Sequence, residues 1–264
     1  MAAAVDLSRC IALHQDGKLD EAISCYRQAL PQDQNGAQVN RLLGLALFAK
    51  GDAAAALTHI EAAVARMPRD PTLLNDLGNV LRALGRQPDA VQAFRGAIAA
   101  DARFAFAHFN LGDGLLEMGR HAEALEVYRT ILARRIAGMD ADFHNNVGTC
   151  LMALGRVGEA ATAFRAALAA DPAHKIAAVQ AGAALQQLGR NRESVEFLRH
   201  TARTHGATPQ LLDVLAQGLL NLTDYAPALE VYDELLRRQP GYERGLTGRG
   251  LALSGLRRDA EAIE

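Results

Sequence analysis

Short apolar blocks at helical spacing run the length of the chain, broken by stops such as Leu-Gly-Arg and Gly-Asp. Such a block places an apolar stripe on one face of a helix and leaves the other face polar. Proline is sparse and β-branched residues are few, so the pattern predicts helices throughout. Aligning the stops brings small residues into register at Cys10, Gly44, Gly78, Gly112, Gly148, Gly182, Ala216 and Gly250, with successive spacings of 34, 34, 34, 36, 34, 34 and 34. A fixed period in this range marks a repeat architecture. The expectation is one array over residues 1–264, with units at about 3–36, 37–70, 71–104, 105–140, 141–174, 175–208, 209–242 and 243–264, the last incomplete.

Each unit repeats one grammar. Seven residues after the small position, six of the eight units carry a turn glycine: Gly17, Gly51, Gly85, Gly119, Gly155 and Gly189. A helix commonly ends on one left-handed residue, where a Cβ is penalised. Twelve residues after the small position stands Ala22, Ala56, Ala90, Ala124, Ala160, Ser194, Ala228 or Ala262. Two helices whose axes pass within about 8–10 Å need small side chains where they cross. Four residues further, Tyr26, Ile60, Phe94, Tyr128, Phe164, Leu198 and Tyr232 are long enough to fill the gap between neighbouring helix pairs. Pro68, Pro172 and Pro240 close second helices by removing a backbone donor.

This pattern resembles the tetratricopeptide repeat along essentially the whole chain. The resemblance implies an all-α fold, a right-handed α-solenoid of antiparallel helix pairs. Departures are visible. The family's frequent tryptophan is missing, and His108 and His144 hold its place in units four and five; unit one has Cys10 and Arg9 where glycine and leucine are usual. Two extra residues near "RRIAGMD" predict a local change in the angle between repeats.

Composition narrows the function classes. Half the residues are apolar, enough for a sizeable core, and 28 basic residues against 30 acidic ones leave no excess to attract nucleic acid or an anionic membrane. No basic residue precedes an apolar run at the N-terminus, and no stretch approaches the roughly 18 apolar residues of a membrane span. Cys10, Cys25 and Cys150 form no C-x-x-C pair and read as core thiols of a reducing compartment, which predicts a cytoplasmic address. H-E-x-x-H and G-x-S-x-G are absent, Gly17-Lys18 is followed by Leu19 where a phosphate loop needs Ser or Thr, and the eight histidines are scattered about one per repeat. No catalytic residue, cofactor or metal site is therefore expected, and the chain does not read as an enzyme in its own right. The final unit stops at Asp259 to Glu264, within its second helix. An open solenoid end needs cover, so more chain or self-association is expected there.

The resemblance further implies that the first helix of each pair lines a concave groove. Its candidates are Arg41; Asn75, Asp76, Asn79 and Arg82; Phe106, Phe109, Asn110, Asp113 and Glu117; Asp142, Asn145 and Asn146; Gln180 and Gln187; and Asp213, Gln217 and Asn221. Asparagine offers both donor and acceptor, so a ladder of it can pair with the backbone of an extended peptide whatever the peptide's side chains. The ladder is similar to that in the repeat arm of O-GlcNAc transferases: Asn110 and Asn146 match its place, Gln180 approximates it and Asp76 departs from it. The family's two-carboxylate clamp is not met. Asn79 and Asn110 match two clamp asparagines, but Asn75, Asp142 and Asn146 stand where cations are required. Acidic Asp76, Asp113, Glu117, Asp142 and Asp213 outnumber Arg41 and Arg82, which predicts a groove for neutral to basic peptides. Phe106 and Phe109 are the expected aromatic anchors, with Phe104 packing inward. The expected function is a protein–protein interaction scaffold; the alternative is the substrate-recognition arm of a glycosyltransferase or sulfotransferase whose catalytic domain follows residue 264.

Overall fold

The structure, a computed structural model, describes residues 5–32, 36–136 and 140–262. Among these, every regular element is a helix, arranged in two compact units, Met1–Ala137 and Gly138–Glu264. The first unit holds α1 (Leu7–Gln15), α2 (Leu19–Ala29), a short 3-10 turn (Leu30–Gln32), α3 (Ala37–Ala49), α4 (Ala53–Arg66), α5 (Pro71–Ala83), α6 (Gln87–Ala100), α7 (Ala105–Glu117) and α8 (His121–Arg134). The second holds α9 (Ala141–Ala153), α10 (Val157–Ala170), α11 (Lys175–Gln187), α12 (Asn191–His205), α13 (Pro209–Asn221), α14 (Tyr225–Arg238), α15 (Glu243–Gly255) and α16 (Asp259–Ala262). Within each unit, every helix packs on its sequence neighbours, and alternate helices also touch, so first helices lie beside first helices. This is an all-α repeat solenoid. The boundary between the units falls in the "RRIAGMD" stretch, where Ala137, Gly138 and Met139 lie outside the described residues, and the expected change of angle lies there with them.

Local sequence starts and stops these helices. The carboxylates of Asp6, Asp52, Asp70 and Asp140 accept from the N–H groups of Ser8, Ala55, Thr72 and Phe143, and the Thr208 hydroxyl accepts from that of Leu211. Each supplies an acceptor for a first-turn donor that has none inside the helix. Pro71 and Pro209 follow their caps at the position where a missing N–H costs nothing. All six turn glycines have positive φ, from 69° to 93°. In the remaining two repeats the same place is taken by Thr223 (φ 61°) and Arg257 (φ 59°). A β-branched residue there is strained, so Thr223→Gly is expected to stabilise the second unit by about 1 kcal/mol, read from the urea midpoint.

In five repeats the small residue faces the bulky residue sixteen positions on, within its own helix pair, and not chiefly the alanine or serine twelve on. The expectation that the bulky side chain serves the gap between neighbouring pairs alone is thereby corrected. A Cβ added at Gly44, Gly78, Gly112, Gly148 or Gly182 would stand 2.8, 2.3, 2.6, 2.5 or 2.7 Å from Ile60, Phe94, Tyr128, Phe164 or Leu198 respectively. Those five partners are fully buried, so the glycine admits the bulky residue sixteen positions later. The spacing did not single out Gly248, whose added Cβ would lie 2.2 Å from Tyr232 of the preceding repeat.

The cysteines depart from expectation. Cys10 and Cys25 form a disulfide with Cα atoms 5.4 Å apart, and Cys150 is a buried cysteine outside it. Helices α1 and α2 fold back on each other about Gly17, seven residues after Cys10 and eight before Cys25. The two sulfurs are therefore opposite each other in space, a proximity that a C-x-x-C search along the chain does not register. The argument that took the cysteines to a reducing compartment loses its basis. Among the described residues no helix is long and apolar enough to cross a membrane.

Candidate functional site

In the first unit, α3, α5 and α7 lie side by side, and polar side chains cross the seams between them as rungs. Arg41 Nε donates to Asp76 Oδ2 at 2.6 Å, and Asn110 Nδ2 donates to Asn75 Oδ1 at 2.8 Å. Each rung joins the third position before one repeat's small residue to the second position before the next. Asn75 and Asp76 are consequently buried where open groove positions were expected; both fasten adjacent repeats, and Asn75 also lines an open cavity with Phe106. Burial raises the Asp76 carboxyl above its ordinary pKa, and the Arg41 hydrogen bond and charge pull it back only in part. Asp113 is also engaged, accepting from the Tyr128 hydroxyl at 2.7 Å.

What stays available is aromatic and amide. Phe106 is 69% exposed, edge-on to Phe104 with ring centroids 6.0 Å apart. Phe104 is half-buried at the N-cap of α7, so it is not the wholly inward residue expected, and Phe109 is half-buried. Phe106 and Phe48 wall an open cavity of about 500 Å³; Asn75, Asn79 and Asn110 supply amides, and Arg82 and Glu117 stand 3.9 Å apart at its edge. Phe48 was not among the sequence candidates, because no aromatic recurs at its place in other repeats to mark it. Asn79 is half-buried, with no side-chain hydrogen bond among the described residues.

The second unit repeats the logic with different chemistry. Asp213 is buried, where an open groove position was expected; it accepts from the Tyr242 hydroxyl at 3.2 Å and pairs with Arg244 at 3.1 Å. Burial, with Asp213 adding to it, pushes the Tyr232 hydroxyl up to about 12. Gln217 donates to Asn221, which donates to Asn191, at 3.2 and 3.3 Å. Asp142 is exposed and takes a 3.0 Å contact from His174 Nε2, while His174 Nδ1 accepts from the Ala177 N–H and caps α11. Asn145 is buried, against expectation, and Asn146 is half-buried. Gln180 is half-buried without a side-chain hydrogen bond among the described residues. The acidic surplus read from the sequence is thus partly cancelled inside the fold: Arg41 answers Asp76, and Arg244, which was not counted, answers Asp213. No group of three His, Cys, Asp or Glu side chains among the described residues could hold a metal ion.

The tetratricopeptide repeat family model matches residues 41–103, 109–175 and 214–264, and a TPR repeat model matches residues 12–51. No curated protein matches the sequence. Among solved structures, the chain is similar to YrrB, described as a TPR protein with an unusual peptide-binding site: 18% identity, 71% of this chain and 95% of that one, TM-score 0.61. A tetratricopeptide repeat protein from Parabacteroides merdae aligns over 94% of this chain and 97% of its own at 14% identity and TM-score 0.66. PilF of Pseudomonas aeruginosa covers 86% and 96% at 19% identity and TM-score 0.62. At these identities the likeness is one of fold.

Proposed function

The chain belongs to the tetratricopeptide repeat family, and from that premise we propose that it is a protein-interaction scaffold whose first-helix face holds an extended polypeptide segment. The observation that carries this reading is Phe106. A phenyl ring left 69% exposed forgoes most of the roughly 1.5–3 kcal/mol that burial returns, and here it stands over a cavity of about 500 Å³ beside the unengaged carboxamide of Asn79. A ring and an amide on one rigid face suit a segment that inserts an apolar side chain and pairs its backbone alongside. The peptide-binding site named for YrrB supports the reading by analogy of fold. Glu117, the more exposed member of the Arg82–Glu117 pair at the cavity edge, tilts the preference towards neutral or basic segments.

A display library of random twelve-residue peptides, selected on the full chain, tests this. Phe106→Ala is expected to weaken a selected peptide by about 2 kcal/mol, roughly thirtyfold, and Asn79→Ala by less. Lys-rich members should be recovered over Glu-rich ones at low salt. Failure to select any binder, or equal binding by both variants and the parent chain, would defeat the proposal.

A further inference from the structure

We infer that the Cys10–Cys25 bridge is a thiol-exchange site: Cys25 takes a small cationic thiol in a reversible mixed disulfide, and the freed Cys10 lets α1 go. The first observation is that the two halves of the bridge have different surroundings. Cys10 is fully buried, whereas Cys25 is half-buried and lines an open cavity of about 500 Å³ on the α1–α2 pair. Exchange requires a thiolate to reach one of the two sulfurs from outside, so access selects the sulfur attacked. That cavity presents Cys25, and Cys10 takes no part in its wall.

The second observation is what the bridge holds. Cys10 occupies the place that glycine or alanine takes in every other repeat. Among the described residues of α1 it is the only buried one; Leu7, Ile11 and Leu13 pack with partly buried faces. A nine-residue helix does not hold together alone, so its attachment to α2 leans on the covalent link. Opening the link therefore changes the structure of the first repeat.

The step balances without an oxidant or reductant. The entering thiolate attacks Cys25 Sγ, a new S–S bond forms as the Cys10–Cys25 bond breaks, and Cys10 leaves as a thiolate that takes up the proton the entering thiol lost. The Asp6 carbonyl oxygen, 3.5 Å from Cys10 Sγ, is placed to accept from the resulting thiol. Attack in return by Cys10 expels the small thiol and closes the bridge again. Charge selects the class of thiol. Asp6 and Glu21 face the cavity against Arg9, a surplus of one negative charge, and all three are exposed. Exposed charges act weakly and are screened by salt, so the preference for a cationic thiol is modest.

The experiment uses the full chain with cysteamine and 2-mercaptoethanesulfonate, two-carbon thiols of opposite charge. After timed exposure and an alkylating quench in denaturant, peptide mapping should find the small thiol on Cys25 and the alkyl label on Cys10. Rates per thiolate should favour cysteamine roughly threefold at low salt, and Glu21→Gln, at an exposed site, should remove most of that preference. Urea below the unfolding midpoint should leave the rate nearly unchanged, because the cavity already opens on Cys25 in the folded chain. Hydrogen exchange on the modified chain should show α1 amides unprotected. A mixed disulfide on Cys10, an even split between the two cysteines, or a rate that climbs with urea as unfolding does would overturn the site and leave the bridge a structural staple. Equal or faster reaction of the sulfonate would overturn the cationic class, and α1 amides still protected with Cys25 modified would overturn the release of the helix. The groove reading stands or falls separately, since none of these measurements involves a peptide.

Discussion

Gly112→Leu is expected to lower the unfolding free energy by about 3 kcal/mol, the upper end of the range for overpacking a filled core. The reason is local and specific. A Cβ at Gly112 would stand 2.6 Å from Tyr128 Cε1 and 2.7 Å from Cζ, and Tyr128 is fully buried with its hydroxyl bonded to Asp113. A rigid ring tied at its far end cannot swing away, so α7 and α8 must separate and the Asp113 bond must lengthen. A helical glycine without that neighbour behaves in the opposite sense. Gly96, in α6, would place its Cβ 3.5 Å from Leu74, an ordinary contact, so Gly96→Ala should gain about 0.5–1 kcal/mol from lower chain entropy in the unfolded state. Urea titrations of the two variants beside the parent chain separate these outcomes. Unchanged stability of Gly112→Leu would show that the crossing lies elsewhere.

Reducing the Cys10–Cys25 disulfide is expected to remove about 3 kcal/mol from the first repeat, the value for a closed loop of some fifteen residues. In a repeat array each pair draws its stability from its neighbours. Helix α1 is nine residues long, below the length at which an isolated helix holds together, and it rests on α2. Reduction should therefore act unevenly, with α1 amides losing hydrogen-exchange protection while those of α5 and α6 keep theirs. The double replacement Cys10→Ala with Cys25→Ala should reproduce the loss without reductant, since alanine is accepted at the crossing by Ala216. Full protection of α1 after thiol titration confirms cleavage would show that packing alone holds the first repeat.

The polar candidates divide by what the chain spacing can report. Asn75, Asn110, Asn145 and Gln180 are all carboxamides on first helices at matched positions, and nothing local to any of them says which are engaged. The bond between Asn75 and Asn110 spans 35 residues. Whether the equivalent rung closes at Asn145 depends on the path of another helix and the reach of another side chain. Arg244 illustrates the same point for charge: it belongs to the last repeat, yet it neutralises Asp213 of the one before.

The amino-acid sequence by itself determined the elements: their helical type, the 34-residue period, the left-handed turn glycines and the small residues at which the paired helices cross. These follow from spacing within one helix or one hairpin, where a few residues dictate the geometry. Only the tertiary structure decided that Cys10 meets Cys25, that Asn75, Asp76 and Asp213 are buried and bonded across the seams between repeats, and that Phe106 is exposed. Contacts between separate helices depend on the angle and offset at which the helices pack. That offset is set by the summed fit of many side chains, which no single spacing encodes.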